Sequence, residues 1–209
     1  MGFEAIVWRV YGIANWIMKF MYLNLLWIAF SLAGLVVFGI FPSTAAMFSV
    51  TRKWVLGDTD IPVFQTFWKN YKKSFIQMNI IGYVLTILGI VLYIDLRFFQ
   101  QSGKFLFSVL AFFIIFGMFI FFAVILYIFP MYVHYEFKTF EYIKKAFVIV
   151  LGKPLNTIMM IVGSYLMYVF ISMLPVLLIF VSGSLLSFVL MWIAMRVFPR
   201  YEIKVSVES

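Results

Sequence analysis

The sequence predicts an all-α protein built for lipid, a polytopic membrane helix bundle of about five transmembrane helices with amphipathic helices at its edges. Three observations lead there. Of 209 residues, 66% are hydrophobic and 11% charged, whereas an average soluble domain has about 45–50% and about 25%. A water-soluble domain of this size cannot hide so much apolar surface. Several uncharged runs reach the roughly 20 residues that a helix needs to cross the hydrocarbon core. The cations of a chain with net charge +8 sit between those runs rather than in one patch, which favours a membrane over nucleic acid.

Residues 1–19 read as an interfacial helix on the outer side. Ile6, Val10, Ile13 and Ile17 recur at helical spacing, with Trp8, Tyr11 and Trp16 suited to the headgroup layer. The spans follow at 20–41, 75–95, 105–129, 155–180 and 184–198. No charge occurs between Leu155 and Met195, so that stretch is divided into two crossings at Ser182-Gly183-Ser184, with Pro175 as a competing break. Phe-Pro closes three runs, at Phe41-Pro42, Phe129-Pro130 and Phe198-Pro199. Ser31-Leu32-Ala33 resembles a cleavage site, but the apolar run continues eight residues beyond it, so an uncleaved span is expected.

Two connections, 42–74 and 130–154, read as cytosolic amphipathic helices. In the first, Ser43 is expected to cap a helix reaching Leu56, with Gly57 ending it and Asp58–Pro62 forming a turn. Phe64, Phe67, Trp68, Tyr71 and Phe75 then form an aromatic stripe, while Lys69, Lys72 and Lys73 face elsewhere. The second connection repeats the design with Phe140, Ile143, Phe147 and Val150 opposite Lys138, Lys144 and Lys145. The candidate lipid- or partner-binding residues are therefore Phe64, Phe67, Trp68, Lys69, Tyr71, Lys72, Lys73, Phe140, Lys144 and Lys145. Lysines on such faces are drawn to anionic headgroups.

Counting Lys and Arg orients the bundle, since these concentrate in cytoplasmic loops. Five spans place twelve of the sixteen cations on one side and leave Arg9, Lys19, Arg97 and Lys104 on the other. The N-terminus is then outside a bacterial plasma membrane and the C-terminus is cytoplasmic.

Catalytic signals are sparse. The chain has no cysteine and one histidine, His134, which reads as an interface residue beside Tyr132 and Tyr135. Asp58-x-Asp60 is explained by its turn, no phosphate-cradling Gly-rich loop occurs, and the spans carry no charged residue except Asp95 and Arg196 at their ends. No catalytic residue, cofactor or metal ligand is expected. Small residues at Gly82, Thr86 and Gly89, and Ser164 and Ser172 beside Tyr168, suit close helix packing.

The segments Tyr22-Leu23-Asn24-Leu25-Leu26-Trp27, Phe41-Pro42-Ser43-Thr44-Ala45-Ala46-Met47-Phe48, Arg52-Lys53-Trp54 and Phe64-Gln65-Thr66-Phe67-Trp68-Lys69 resemble the YesL family. These are small bacterial membrane proteins defined by a domain of unknown function. The resemblance runs from about Gly2 to Phe198, with its specific motifs in 22–75. Members typically occur in Gram-positive bacteria near genes for sugar-importing ABC transporters and glycoside hydrolases. The resemblance implies a non-catalytic accessory or regulatory subunit that contacts the lipid bilayer and the permease or ATPase of a carbohydrate importer. It implies no catalytic residues. A small transporter or channel is the second expectation, and a membrane enzyme acting on lipid or glycan the third.

Overall fold

The computed structural model describes residues 3–101, 105–173 and 180–198. The described residues form helices and short connections: α1 (Phe3–Ala33), α2 (Ile40–Val55), α3 (Val63–Gln101), α4 (Phe105–His134), α5 (Thr139–Gly152), α6 (Pro154–Met173) and α7 (Ser182–Val197). The protein is an all-α membrane bundle, as its composition requires. Four helices, within α1, α3, α4 and α6, are long and apolar enough to cross a bilayer. The shorter α7 buries Leu190, Met191, Ile193, Ala194 and Val197, and so lies within the bundle core.

The centre of the fold is the antiparallel α3–α4 hairpin. At one end, here called the base, Lys73 pairs with Glu136 at 2.7 Å and Gln77 donates to the Phe137 carbonyl at 3.2 Å. At the other end, the tip, the rings of Phe99 and Phe107 lie 5.5 Å apart. The other described helices pack mainly round the base half, with α5 reaching Leu88 and Leu92 along one side. Every buried residue of α3 lies between Thr66 and Leu85, and in α4 only Ala111 is buried before Ala123. Two cores result. One joins Met78, Ile81, Tyr127, Ile128, Met131, Met160 and Met191 across α3, α4, α6 and α7. The other joins Phe20, Leu23, Val50, Trp54 and Phe67 across α1, α2 and α3.

Several expected boundaries move, each for a physical reason. The expected interfacial helix and first span are one continuous helix, α1, because nothing near Lys19 interrupts the backbone hydrogen bonding. That helix ends at Ala33 rather than running to Phe41. A six-residue apolar turn, Gly34-Leu35-Val36-Val37-Phe38-Gly39, reverses the chain into α2. It contains no charge, so hydropathy alone could not reveal it. The reversal requires its two glycines, since a Cβ on Gly34 would fall 2.4 Å from the Gly39 Cα. Leu35 and Val36 adopt positive φ, 55° and 63°, an unfavourable region for L residues, most of all for β-branched ones. Polar side chains of α3 satisfy the turn: Asn79 donates to the Phe38 carbonyl at 3.0 Å, and the Tyr83 hydroxyl to the Val37 carbonyl at 2.8 Å. Irregular backbone is tolerated in an apolar setting when protein groups satisfy it in this way.

The three Phe-Pro pairs have different fates. Pro42 lies in the first turn of α2, where a missing N–H costs nothing. Pro130 lies inside α4, which continues to His134. Phe198 caps α7 with extended angles (φ −72°, ψ 124°), the conformation preferred before proline. Ser43, expected as a cap, is buried inside α2, while Gly57 ends that helix as expected, with φ +99°. Ser182-Gly183-Ser184 forms the first residues of α7 rather than a turn, and Pro175 lies outside the described residues.

Lys19 also moves. Placed by cation counting on the opposite side from the first connection, it donates to the Thr59 carbonyl at 2.9 Å and pairs with Asp60 at 3.2 Å. It therefore belongs to the base, because Asp60 lies three residues before α3 begins.

Candidate functional site

The aromatic stripe at 64–75 is not a separate surface helix; it is the first third of α3. Phe67 and Tyr71 are buried, with ring centres 5.3 and 5.1 Å from that of Phe30 on α1. This corrects their expected role: neither ring is available to a partner or to lipid, because the stripe holds α1 against α3. Phe64 and Trp68 remain 47% and 39% exposed, so the outer edge of the stripe is still free to touch lipid or protein. Lys72 lies over the Trp68 ring at 4.9 Å, a cation–π contact, and Lys69 is exposed. In α5, Phe140 and Lys144 flank an apolar groove beside Leu88, Leu92, Ile120 and Phe121. Lys145 sits 3.4 Å from the centre of the Phe137 ring.

Lys73 alone among the expected residues joins a polar cavity. It has a volume of about 380 Å³ and opens at the base, between α2, α3 and the end of α4. Ser49 and Arg52 reach it from α2, and Asn70, Lys73, Ser74 and Gln77 from α3. Tyr132 and His134 enter from the end of α4, Glu136 and Phe137 from the following loop, and Tyr142 from α5. The aromatic members form a wall, since Tyr132 and Tyr142 lie 5.2 Å apart and Phe137 and Tyr142 5.5 Å.

Hydrogen bonds hold the loop against the helices. The Tyr142 hydroxyl donates to the Tyr135 carbonyl at 2.9 Å and accepts from the Phe137 amide at 3.0 Å. Asn70 and Gln77 each donate one amide N–H, to the Thr66 and Phe137 carbonyls respectively. Their amide oxygens stay available to the cavity. The hydrogen bond from Lys73 holds the Glu136 carboxyl below its usual range. The Arg52 Nε donates to His134 Nδ1 at 3.4 Å, so a neutral His134 carries its proton on Nε2. Burial pushes the Arg52 guanidinium below its ordinary value. Among the described residues no group of three His, Asp or Glu side chains is placed to hold a metal ion.

The sequence carried a signal for this cavity that aromatic spacing obscured. Asn70, Ser74 and Gln77 fall at i, i+4 and i+7, a polar stripe on the same helix as the aromatic one. Arg52 and His134, 82 residues apart, meet only through folding.

A membrane-embedded helical bundle with a polar pocket at its cation-rich end is the class that fold and site define. Residues 20–96 match the family described as protein of unknown function, DUF624. The chain is 38% identical to YteU of Bacillus subtilis over 93% of its own length and 87% of that protein. It is 38% identical to YesL over 88% and 87%, and 36% identical to YesV over 89% and 89%, both also from Bacillus subtilis. The chain therefore belongs to the YesL-like DUF624 family of membrane proteins. No solved structure matches it.

Proposed function

We propose that this chain is a non-catalytic accessory or regulatory membrane subunit, associated with a carbohydrate or oligosaccharide ABC importer in a bacterial plasma membrane. The observation that carries the reading is the bare tip half of the α3–α4 hairpin. Residues 86–101 of α3 have no buried member, and Ala111 is the one buried residue among 105–122 of α4. Ile87, Ile90, Phe112, Phe113 and Phe116 are all more than half exposed. Such a surface is stable in lipid or against the apolar helices of another membrane protein. Gly117 adds open space, with nothing within 4 Å of where its Cβ would stand, and glycine lets a partner helix approach closely.

The importer itself comes from the family resemblance. The cation-rich base would face the cytoplasm, as the positive-inside rule requires. There the exposed Lys69, Lys72, Lys144 and Lys145 would meet anionic headgroups or the ATPase side of a partner.

Gentle detergent purification from the native host, followed by mass spectrometry, tests the reading. Recovery of a sugar permease or its ATPase in stoichiometric amount is the expected result. Recovery of the chain alone, together with substrate flux in liposomes containing only this protein, would replace the subunit reading with a transporter.

A further inference from the structure

We propose that the cavity at the base of the α3–α4 hairpin binds a phosphate group, with the Arg52 guanidinium as its charged anchor. The first reason is an uncompensated charge. Arg52 is half-buried and makes no ion pair among the described residues, and Glu136, the acid in the same cavity wall, is already taken by Lys73. A partly buried cation without a counter-charge has lost some of its hydration, and a bound anion offsets that loss. The second reason is unused donors. Arg52 spends its Nε on His134 and leaves its two Nη groups, a fork that matches two oxygens of one oxyanion. His134, also in the wall, accepts at Nδ1 from that Nε and so orients the guanidinium.

Shape and position complete the case. The wall carries two cations, Arg52 and Lys73, against one acid, Glu136. Cationic and hydroxyl groups enter from α2, α3 and α4, so an anion with more than two oxygens uses them better than a carboxylate does. A volume of about 380 Å³ leaves room for the body of an ester beyond the anion itself. Two sources share this chemistry at the cation-rich end: the headgroup of an anionic phospholipid and a phosphate ester dissolved in the cytosol.

The test uses the full chain in phosphatidylcholine nanodiscs. Inorganic phosphate and glycerol phosphate are titrated at constant ionic strength, so that general screening does not contribute. Parallel nanodiscs replace part of the phosphatidylcholine with phosphatidylglycerol, and binding is read from the thermal midpoint and intrinsic fluorescence. The wild type and Lys53→Gln, whose side chain lies outside the cavity, should respond to at least one probe. Arg52→Gln should bind about 10- to 100-fold more weakly, the usual effect of losing a hydrogen-bonded charge. Ser49→Asp places a carboxylate one helical turn from Arg52 and should show the same loss while keeping its gel-filtration profile. If Arg52→Gln does not fold, Ser49→Asp decides. A response to dissolved phosphate identifies a soluble ester, and a response confined to phosphatidylglycerol identifies a headgroup. Silence of the wild type to all three probes, or variants that respond like the wild type, overturns the proposal.

Discussion

Gly82 shows how much one residue decides. A Cβ there would lie 2.4 Å from the Phe41 ring, so α2 and α3 can approach only because this position has no side chain. Gly82→Ala should destabilise the protein by about 1–3 kcal/mol, the usual cost of overpacking. Gly117→Ala, inside α4 where nothing stands within 4 Å, should leave the thermal midpoint in detergent unchanged or slightly raised. Equal behaviour of the two would dismiss this account of the contact. The Lys73–Glu136 pair makes a second point. Because the folded Glu136 carboxyl is held below its ordinary value, the pair stabilises the protein above the unfolded glutamate pKa, about 4.3. That contribution is lost as pH falls through the folded value. Both side chains are mostly exposed, at 67% and 75%, so the effect is small and screened by salt. The stability difference between the wild type and Glu136→Gln, measured from pH 7 to pH 3, should therefore be small at pH 7 and vanish in acid.

Among the elements, the start of α3 departs most from its expected role. An aromatic stripe at helical spacing has the same pattern whether it lies on a membrane or against another helix, because periodicity reports one apolar face and not its occupant. Phe30 is what decides it. Its ring centre lies 5.3 Å from those of Phe67 and Trp68 and 5.1 Å from that of Tyr71, so the inner part of the stripe is core. Phe67→Ala, which empties a fully buried site, should cost about 3–5 kcal/mol. Phe64→Ala, at a site 47% exposed, should cost clearly less in the same denaturation series. A docking stripe would instead give two near-neutral variants with weakened partner recovery. The α1–α2 turn carries the complementary lesson. Its residues 35–38 are all apolar, and Asn79 and Tyr83, which close it, belong to a helix more than 40 positions away.

At the scale of the molecule, packing is concentrated at one end. The five other described helices pack mainly round the base of the α3–α4 hairpin, and the tip half buries almost none of its side chains. Cations follow the same polarity once Lys19 joins the base through Asp60. The chain has no cysteine, so single substitutions can map this polarity directly. In intact cells a membrane-impermeant maleimide should label Gln100→Cys at the tip. Lys145→Cys, at the base, should react only after permeabilisation. The reverse pattern would invert the orientation proposed for the base.

The sequence by itself determined the fold class, the apolar runs behind the long helices and the cation-rich character of the base. Those properties follow from composition and from local periodicity, which need no partner to exist. It also marked Gly57 as a helix end, because a backbone break is a local event. Only the tertiary structure decided which apolar faces meet each other and which stay bare, since hydrophobic contact is non-directional and leaves no trace in spacing. The polar cavity belongs to that second group. Arg52, Lys73 and His134 read separately as a loop cation, a solvated lysine and an interface histidine. They become one site because α2, α3 and the end of α4 converge at the base, where their remaining polar groups have few other partners.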